Sequence, residues 1–439
     1  LSELVFNLPA AHDPSIFVLR DARQSLARPG DAPANVNLKG TVMTVTLGAE
    51  LAPAEAVTLT FEFRVYAEQI DRDTESFAEA NLGYTDEAMV VGYWYPLLAP
   101  CRPGRGWLTV PWHSLGDPFA SESADYTATI TATDSVQIVA GGDLARNENT
   151  WRLELPRART FAFVASKNYE QSDHVADGVT YSVYTLATHT RLAPVTMEVV
   201  TRAAQLYSSL YGPYPYSTLR VAEVSGPWSM EFSGLVTLGK EEFADYNGSN
   251  RNRLVRIAAH EVSHQWWYGV VGNDQAREPW LDEGMARFNE LRYLEAYSPG
   301  DVWWWWNAVI YPSQAWLPVD SSIYDFRYHL SYINTIYNRG ALFLDALRDQ
   351  MGAAAFDAFA RDLYQRGAYR LITSDDFFAA LARHTRASAR ASAPADVRPV
   401  LSRFLSNAPL DLFAPDSRPG NKPVIPSRAR TLSKRWLAQ

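Results

Sequence analysis

The chain has 439 residues, 47% of them hydrophobic and 20% charged, the composition of a soluble globular protein long enough for two or three domains. A formal charge of −9 leaves no basic stripe to meet phosphates, which argues against a nucleic-acid partner. No run approaches the roughly 20 apolar residues of a membrane span. Cys101 is the only cysteine, so neither an internal disulfide nor a thiolate metal site is expected, and it reads as an inert residue after Pro100. The chain opens on Leu1 without a signal peptide, as a processed or truncated product would. Bacterial cytoplasmic and exported locations both stay open.

Residues 1–168 read as β-structure. Leu4-Val5-Phe6, Thr41 to Leu47, Val57 to Val65, Tyr126 to Val139 and Thr160 to Val164 are short β-branched and aromatic runs, separated by Gly, Pro, Asn and Asp. Thr58, Thr60 and Glu62 alternate with Leu59, Phe61 and Phe63, giving one wet and one dry face and predicting a sheet sandwich. After Lys167-Asn168 the pattern changes. Val179 to Tyr184 and Leu219 to Val224 read as strands, and Val195 to Leu210 between them has helical spacing, with Met197, Val200, Ala204 and Leu210 apolar.

From Arg251 helices dominate. Ser249 or Asn250 is the expected cap of the first, Leu254 and Ile257 sit at core spacing, and Gly269 marks its end. Trp303 to Trp306, bounded by Asp301 and Asn307, reads as a helix packing several faces at once. Phe356, Phe359, Leu363 and Tyr364 share a helical face, and Thr373-Ser374-Asp375-Asp376 caps a helix carrying Phe377, Phe378 and Leu381. Ala387 to Ala395 is a small-residue loop. The expected class is α+β: an N-terminal β-sandwich over 1–168, an α/β domain over 169–408 that is mostly helical at its C-terminal end, and an extended tail over 409–439.

The chemistry lies in His260-Glu261-Val262-Ser263-His264 and Trp280-Leu281-Asp282-Glu283-Gly284. On a helix, His260 and His264 project from one face. Glu261 lies beside them and reaches a water on a metal without ligating it. Glu283, on a second helix, offers a carboxylate as third ligand. Two histidines, a glutamate and a water make an open tetrahedral site of the catalytic type, so one Zn2+ per chain and hydrolysis are expected.

The longer runs, His260 to Gly269 and Trp280 to Glu290, resemble the M1 family of zinc metallopeptidases, the gluzincin aminopeptidases. The family sets its glutamate ligand after eighteen intervening residues, where Glu283 stands, and Asp282 takes a position that is usually asparagine. Glu290 matches a family carboxylate seven residues past the ligand, two helical turns on, able to orient a ligating histidine. Ser229-Met230-Glu231-Phe232-Ser233-Gly234 resembles the GxMEN segment, with Trp228 for the glycine, Phe232 for the asparagine and Ser233 for a common proline. The resemblance implies that Glu231 pairs with the free α-amino group of a substrate. Tyr337-Asn338-Arg339-Gly340-Ala341-Leu342 resembles the Tyr-x-Lys-Gly-Ala segment, whose tyrosine donates to the tetrahedral intermediate. Among 23 tyrosines, the Arg-Gly that follows singles out Tyr337 over Tyr324, Tyr328 and Tyr332.

Trp94-Tyr95-Pro96-Leu97 and Asp117-Pro118-Phe119 look like the amino-terminal domain of compact M1 proteins, here beginning partway through at Leu1. The resemblance further implies a thermolysin-like arrangement, with a small sheet whose last strand carries Glu231, packed on the helix pair carrying the metal. No room is left for the large helical C-terminal domain that closes the site in many M1 enzymes. Three functions fit: a zinc aminopeptidase acting on peptides, a zinc endopeptidase or oligopeptidase of the same fold, and a non-catalytic M1-like interaction module.

Overall fold

The computed structural model describes residues 1–26, 32–70, 81–102, 104–387 and 395–413. At the start of the chain two small sheets face each other. One orders Leu97–Leu98, Glu3–Asn7, Val42–Thr46 and Asn35–Lys39; the other orders Ala32–Pro33, Phe17–Leu26 and Val57–Val65. Leu4, Phe6, Met43 and Val45 of the first pack with Leu59 and Phe61 of the second, while Thr58, Thr60 and Glu62 face water. The period-two alternation thus forms the dry interface between two layers.

Two further sheets follow, one of Ala124–Thr131, Thr150–Ala158 and Asp143–Asn147, the other of Gln137–Ala140, Phe163–Ser166, Met89–Val91, Leu82–Tyr84 and Glu68–Gln69. The run from Tyr126 to Val139 is therefore two strands in different sheets. They are separated by a turn that Val136 N closes on Thr133 O (2.9 Å), with Asp134 and Ser135 as turn residues. The run at 160–164 pairs two to three residues later, over Phe163–Ser166.

The next sheet packs against the helix that carries the histidines. Its order is Tyr169–Ala176, Val179–Leu186, Thr218–Val224, Leu235–Gly239. The first two strands form a hairpin, and the last two pair in parallel, with Val183 opposite Val221 and Val221 opposite Val236. Helix Ala193–Leu210 makes the crossover, with Pro194 in its first turn and Val199, Val200, Ala203, Ala204 and Tyr207 on its buried face. The Tyr207 hydroxyl lies 3.0 Å from both Ala259 O and Asn289 O, locking this helix to the two that carry the histidines and Glu283.

The remainder is mostly helical, so the whole is an α+β fold with β-sheets first and helices after. In the tryptophan run, Trp305 is fully buried and Trp303 is exposed. Leu410–Phe413 forms a 3-10 turn, so the tail expected from 409 starts coiled; residues 414–439 and most of the 387–395 loop lie outside the described residues. No described helix is long and apolar enough to cross a membrane.

Arg159, 1% exposed, ties the N-terminal sheets to the helical half. Its guanidinium donates to Ser121 O (2.8 Å), Tyr268 O (3.2 Å), Val270 O (3.1 Å) and Arg370 O (3.2 Å). Val270 O and Arg370 O also accept from Tyr369 N (2.7 Å) and Gly272 N (2.9 Å), so Ser121 O and Tyr268 O are the two that depend on the guanidinium. Arg159→Met is therefore expected to lower stability by about 2 kcal/mol or more, since each of these two carbonyls left unsatisfied costs on the order of 1 kcal/mol. Urea unfolding monitored by tryptophan fluorescence checks this; an unchanged midpoint would show that water replaces the guanidinium.

Candidate active site

The first site helix runs Arg253–Ser263. Asn252 is its cap, with extended backbone and Oδ1 accepting from Leu254 N (2.8 Å), in place of the expected Ser249 or Asn250. Leu254, Val255, Ala258, Ala259 and Val262 are buried, and Asn289 Nδ2 donates to Ser263 Oγ (2.7 Å). The regular helix ends at Ser263, with His264 still in helical conformation as the residue after it. Gly269 has another role than the expected helix end. A Cβ there would sit 2.9 Å from Gln265 O, so glycine admits the close return of the chain after His264.

His260, His264 and Glu283 converge. His260 Nε2 lies 3.2 Å from His264 Nε2 and 3.2 Å from Glu283 Oε2, and His264 Nε2 lies 3.3 Å from the same oxygen. All three side chains are at most 4% exposed. The other ring nitrogens are engaged: His260 Nδ1 with Glu290 Oε1 (3.0 Å) and His264 Nδ1 with Trp267 O (2.9 Å). Both partners only accept, so both Nδ1 atoms carry hydrogen and both Nε2 atoms turn lone pairs toward the carboxylate and each other. Such a trio is repulsive unless positive charge sits within it.

Protons are one source of that charge. Burial opposes charging His260, but Glu283 and Glu290 outweigh it and carry its pKa to about 10. A divalent cation is the other source. Tetrahedral bonds of about 2.0–2.1 Å have edges of about 3.3–3.4 Å, so the donor triangle fits zinc in both size and ligand type. Glu290 is itself held by Arg287 Nη1 (2.7 Å), Arg256 Nη1 (3.1 Å) and Trp305 Nε1, which donates to Oε2 (2.9 Å). Glu261 is buried beside the cluster, and burial pushes its pKa up to about 8. A cation at the histidines lowers that value again.

Glu231 is not on the last strand of the sheet, as the sequence suggested. It lies in the turn before Leu235–Gly239, one residue after Met230, which bridges antiparallel to Thr237. Gln265, the residue after His264, clamps this turn through Nε2 to Phe232 O (3.1 Å) and Oε1 from Gly234 N (2.8 Å). The Glu231 carboxylate is 3% exposed and accepts from Gln275 Nε2 (3.1 Å). The same amide donates to Asp282 Oδ2 (2.8 Å), and Asn273 Nδ2 donates to Asp282 Oδ1 (2.9 Å).

Asp117, which the sequence did not single out as a site residue, reaches in from the N-terminal region. Its carboxylate and those of Glu231 and Glu283 offer oxygens within 4.8 Å of one another. Burial, then Glu231 and Glu283, push the Asp117 pKa well above its usual range. The signal was the Asp117-Pro118-Phe119 segment, but nothing local places residue 117 against residue 231.

Tyr337 closes the other side, on a π-helical stretch, Ile333–Asn338. Its ring stacks on His260 (centroids 5.7 Å, 8° between planes), and the Arg287 guanidinium lies 5.3 Å from its ring centroid. Burial and then Glu283 hold its phenol well above the usual pKa. Glycine allows this approach: a Cβ on Gly340 would lie 3.1 Å from the Cα of Gly284 in the helix of Glu283. Tyr332 packs beside Tyr337 (5.6 Å), whereas Tyr324 and Tyr328 are exposed.

Residues 195–404 match the Peptidase family M1 domain. Aminopeptidase M1 of Arabidopsis thaliana is 26% identical over 227 residues, 48% of this chain and 26% of that protein. Endoplasmic reticulum aminopeptidase 1 of Homo sapiens is 23% identical over 236 residues, 50% of this chain and 25% of that protein. The match thus spans about a quarter of the length of these relatives. The M1 zinc metallopeptidase of Deinococcus radiodurans superposes with a TM-score of 0.63 at 19% identity, covering 93% of this chain and 88% of that one. A mutant of it bound to a Tyr-Ser-Ala substrate gives 0.62, also at 19% identity, with the same coverage. The chain has the fold of an M1-family zinc metallopeptidase.

Proposed function

We propose that this chain is a zinc-dependent aminopeptidase that releases N-terminal residues from peptides. The observation that carries the reading is the donor triangle of His260, His264 and Glu283, with Glu261 beside it and a pocket of two further buried carboxylates, Glu231 and Asp117, next to it. The names of the Arabidopsis and human relatives support the same direction.

Zinc held by the triangle supplies Lewis-acid chemistry, bringing the pKa of a water to about 7 and polarising a carbonyl. Glu261 takes the proton released as water attacks the scissile carbonyl, then gives it to the departing amine. The Tyr337 hydroxyl donates to the oxyanion, its ring packed on His260 and near the Arg287 guanidinium. Glu290 keeps the His260 proton on Nδ1 and so leaves Nε2 free to ligate. Glu231 and Asp117 receive the substrate ammonium, and Gln275 fixes the Glu231 carboxylate. This pocket favours a charged amino terminus over a mid-chain amide, because buried carboxylates need a cation.

About one zinc per chain is expected by elemental analysis of the purified protein. His264→Ala should lose it, and Glu290→Gln should weaken it by about 10- to 100-fold. Full occupancy in His264→Ala would remove the ligand assignment.

Glu261→Gln should keep zinc and lose turnover by about two to four orders of magnitude, because the base goes while the ligands stay. Tyr337→Phe should lower kcat with little change in KM. Near wild-type turnover in Tyr337→Phe would shift the oxyanion role to Tyr332.

A peptide with a free amino terminus should be cut one residue in, and its acetylated form should resist. Glu231→Ala should reduce kcat/KM by the equivalent of about 2–5 kcal/mol, the cost of removing one partner of a desolvated charge pair. Equal cleavage of both peptides at an internal bond would replace the aminopeptidase by an endopeptidase.

A further inference from the structure

We propose that the carboxylates of Asp117, Glu231 and Glu283, beside the donor triangle, bind a second divalent cation, an oxygen-seeking one of the manganese or calcium kind. This cation and the amino terminus of a peptide exclude each other, so the cation inhibits. The inhibition rests on the aminopeptidase reading, in which Asp117 and Glu231 receive the substrate ammonium.

The three carboxylates offer oxygens that all lie within 4.8 Å of one another, and their residues are 4%, 3% and 3% exposed. Calcium–oxygen bonds of about 2.3–2.6 Å set opposite ligands about 4.6–5.2 Å apart, so one such ion spans the group. The donor type differs from that of the neighbouring triangle. His260 and His264 bring nitrogens to the zinc position, whereas the second group is oxygen alone, the ligand set of manganese, magnesium and calcium. Glu283 belongs to both groups. A carboxylate has two oxygens and can bridge, as in two-metal hydrolases whose ions stand about 3.5–4 Å apart.

Asp117 separates this pocket from an ordinary acidic patch. Its side chain is buried, yet among the described residues its carboxylate has no hydrogen bond and no ion pair, and it meets two further carboxylates. Unpartnered buried carboxylates are costly and are retained where a cation joins them. Glu231 accepts from the Gln275 side-chain amide, which it shares with Asp282. No Arg or Lys pairs with Asp117, Glu231, Glu261 or Asp282 among the described residues. One zinc therefore offsets only part of the negative charge gathered here.

A divalent ion on the second group offsets more of that charge than the single charge of an ammonium does. Both ligands need the same oxygens of Asp117 and Glu231, so they compete. The cation raises the peptide concentration required to fill the site. It leaves the turnover of bound peptide as it was, because the bound peptide has displaced it.

The test adds Mn2+ to the zinc-loaded protein and follows the free ion by electron paramagnetic resonance. Mn2+ is the weakest binder of the first-row series, so zinc keeps the histidine triangle, and elemental analysis of the same samples checks that it does. The wild type should take up about one saturable Mn2+ per chain beyond its zinc. Asp117→Asn, close in shape, should keep zinc and bind this Mn2+ at least about 10- to 100-fold more weakly, since losing even a group that orients a ligand costs that much. With Leu-Ala as substrate, Mn2+ at its own dissociation constant should raise the wild-type KM about twofold and leave kcat unchanged. Absence of saturable binding in the wild type overturns the proposal without any variant having to fold. Equal binding by the wild type and Asp117→Asn places the ion elsewhere and overturns it too, as does bound Mn2+ that leaves KM unchanged while Leu-Ala is cleaved. If the zinc-loaded wild type does not cleave Leu-Ala, the aminopeptidase reading falls with the inhibition, and the cation site is decided by the Asp117→Asn comparison.

Discussion

Buried negative charge is the constraint around which the helical half is arranged. Asp117, Glu231, Glu261, Asp282, Glu283 and Glu290 are all at most 7% exposed and crowd around two imidazoles. Glu290 is matched by Arg256 and Arg287. The others have amides, imidazoles and each other for company, and burial raises the pKa of Asp117, Glu231, Glu261 and Asp282. Such a cluster needs compensating positive charge, from protons or from a bound cation. Two adjacent places concentrate the negative charge: the lone-pair triangle, whose size and donor types fit a divalent metal, and the neighbouring carboxylates of Glu231 and Asp117.

That arrangement requires rigid approach between elements far apart in sequence. Tyr207 and Asn289 bolt the crossover helix, the histidine helix and the helix of Glu283 together through buried hydrogen bonds. The Gly284–Gly340 contact lets the tyrosine-bearing helix come near enough for Tyr337 to lie on His260. Arg159 and Gln265 hold the N-terminal sheets and the Glu231 turn against the chain just past His264. Displacement of any one element by an ångström would pull apart the donor triangle, Glu261 and Tyr337.

Three of the positions at which the chain departs from the family segments it resembles have partners that can be named. Asp282 is held by the amides of Asn273 and Gln275. Phe232 is buried in an apolar cluster with Tyr93, Phe119 and Tyr268. Trp228 meets His329. The first two are absorbed into the interior, and the third remains half-buried. Low identity to the Deinococcus radiodurans enzyme, 19%, coexists with superposition over most of both chains, since the fold depends on pattern and packing more than on particular side chains.

Local patterns settled much of this protein in advance. The alternation of Val57–Val65, the crossover helix between two strands, and the i,i+4 histidines with a glutamate on a second helix were all legible, because each signal is complete within a few turns or one strand. Glu290 was legible for the same reason, two turns from Glu283 on one face, and its contact with His260 follows. The helix boundaries were misread at Asn252 and Gly269, where several candidates for a cap or stop lie close together and packing chooses among them. The resemblance placed Glu231 on the last strand of the sheet, whereas it precedes that strand, next to the single bridge of Met230 to Thr237. Asp117, Gln275 and the Trp228–His329 contact came only with the tertiary structure. They depend on which distant segments the folded chain brings side by side, and no local periodicity encodes a meeting of residue 117 with 231 or of 228 with 329.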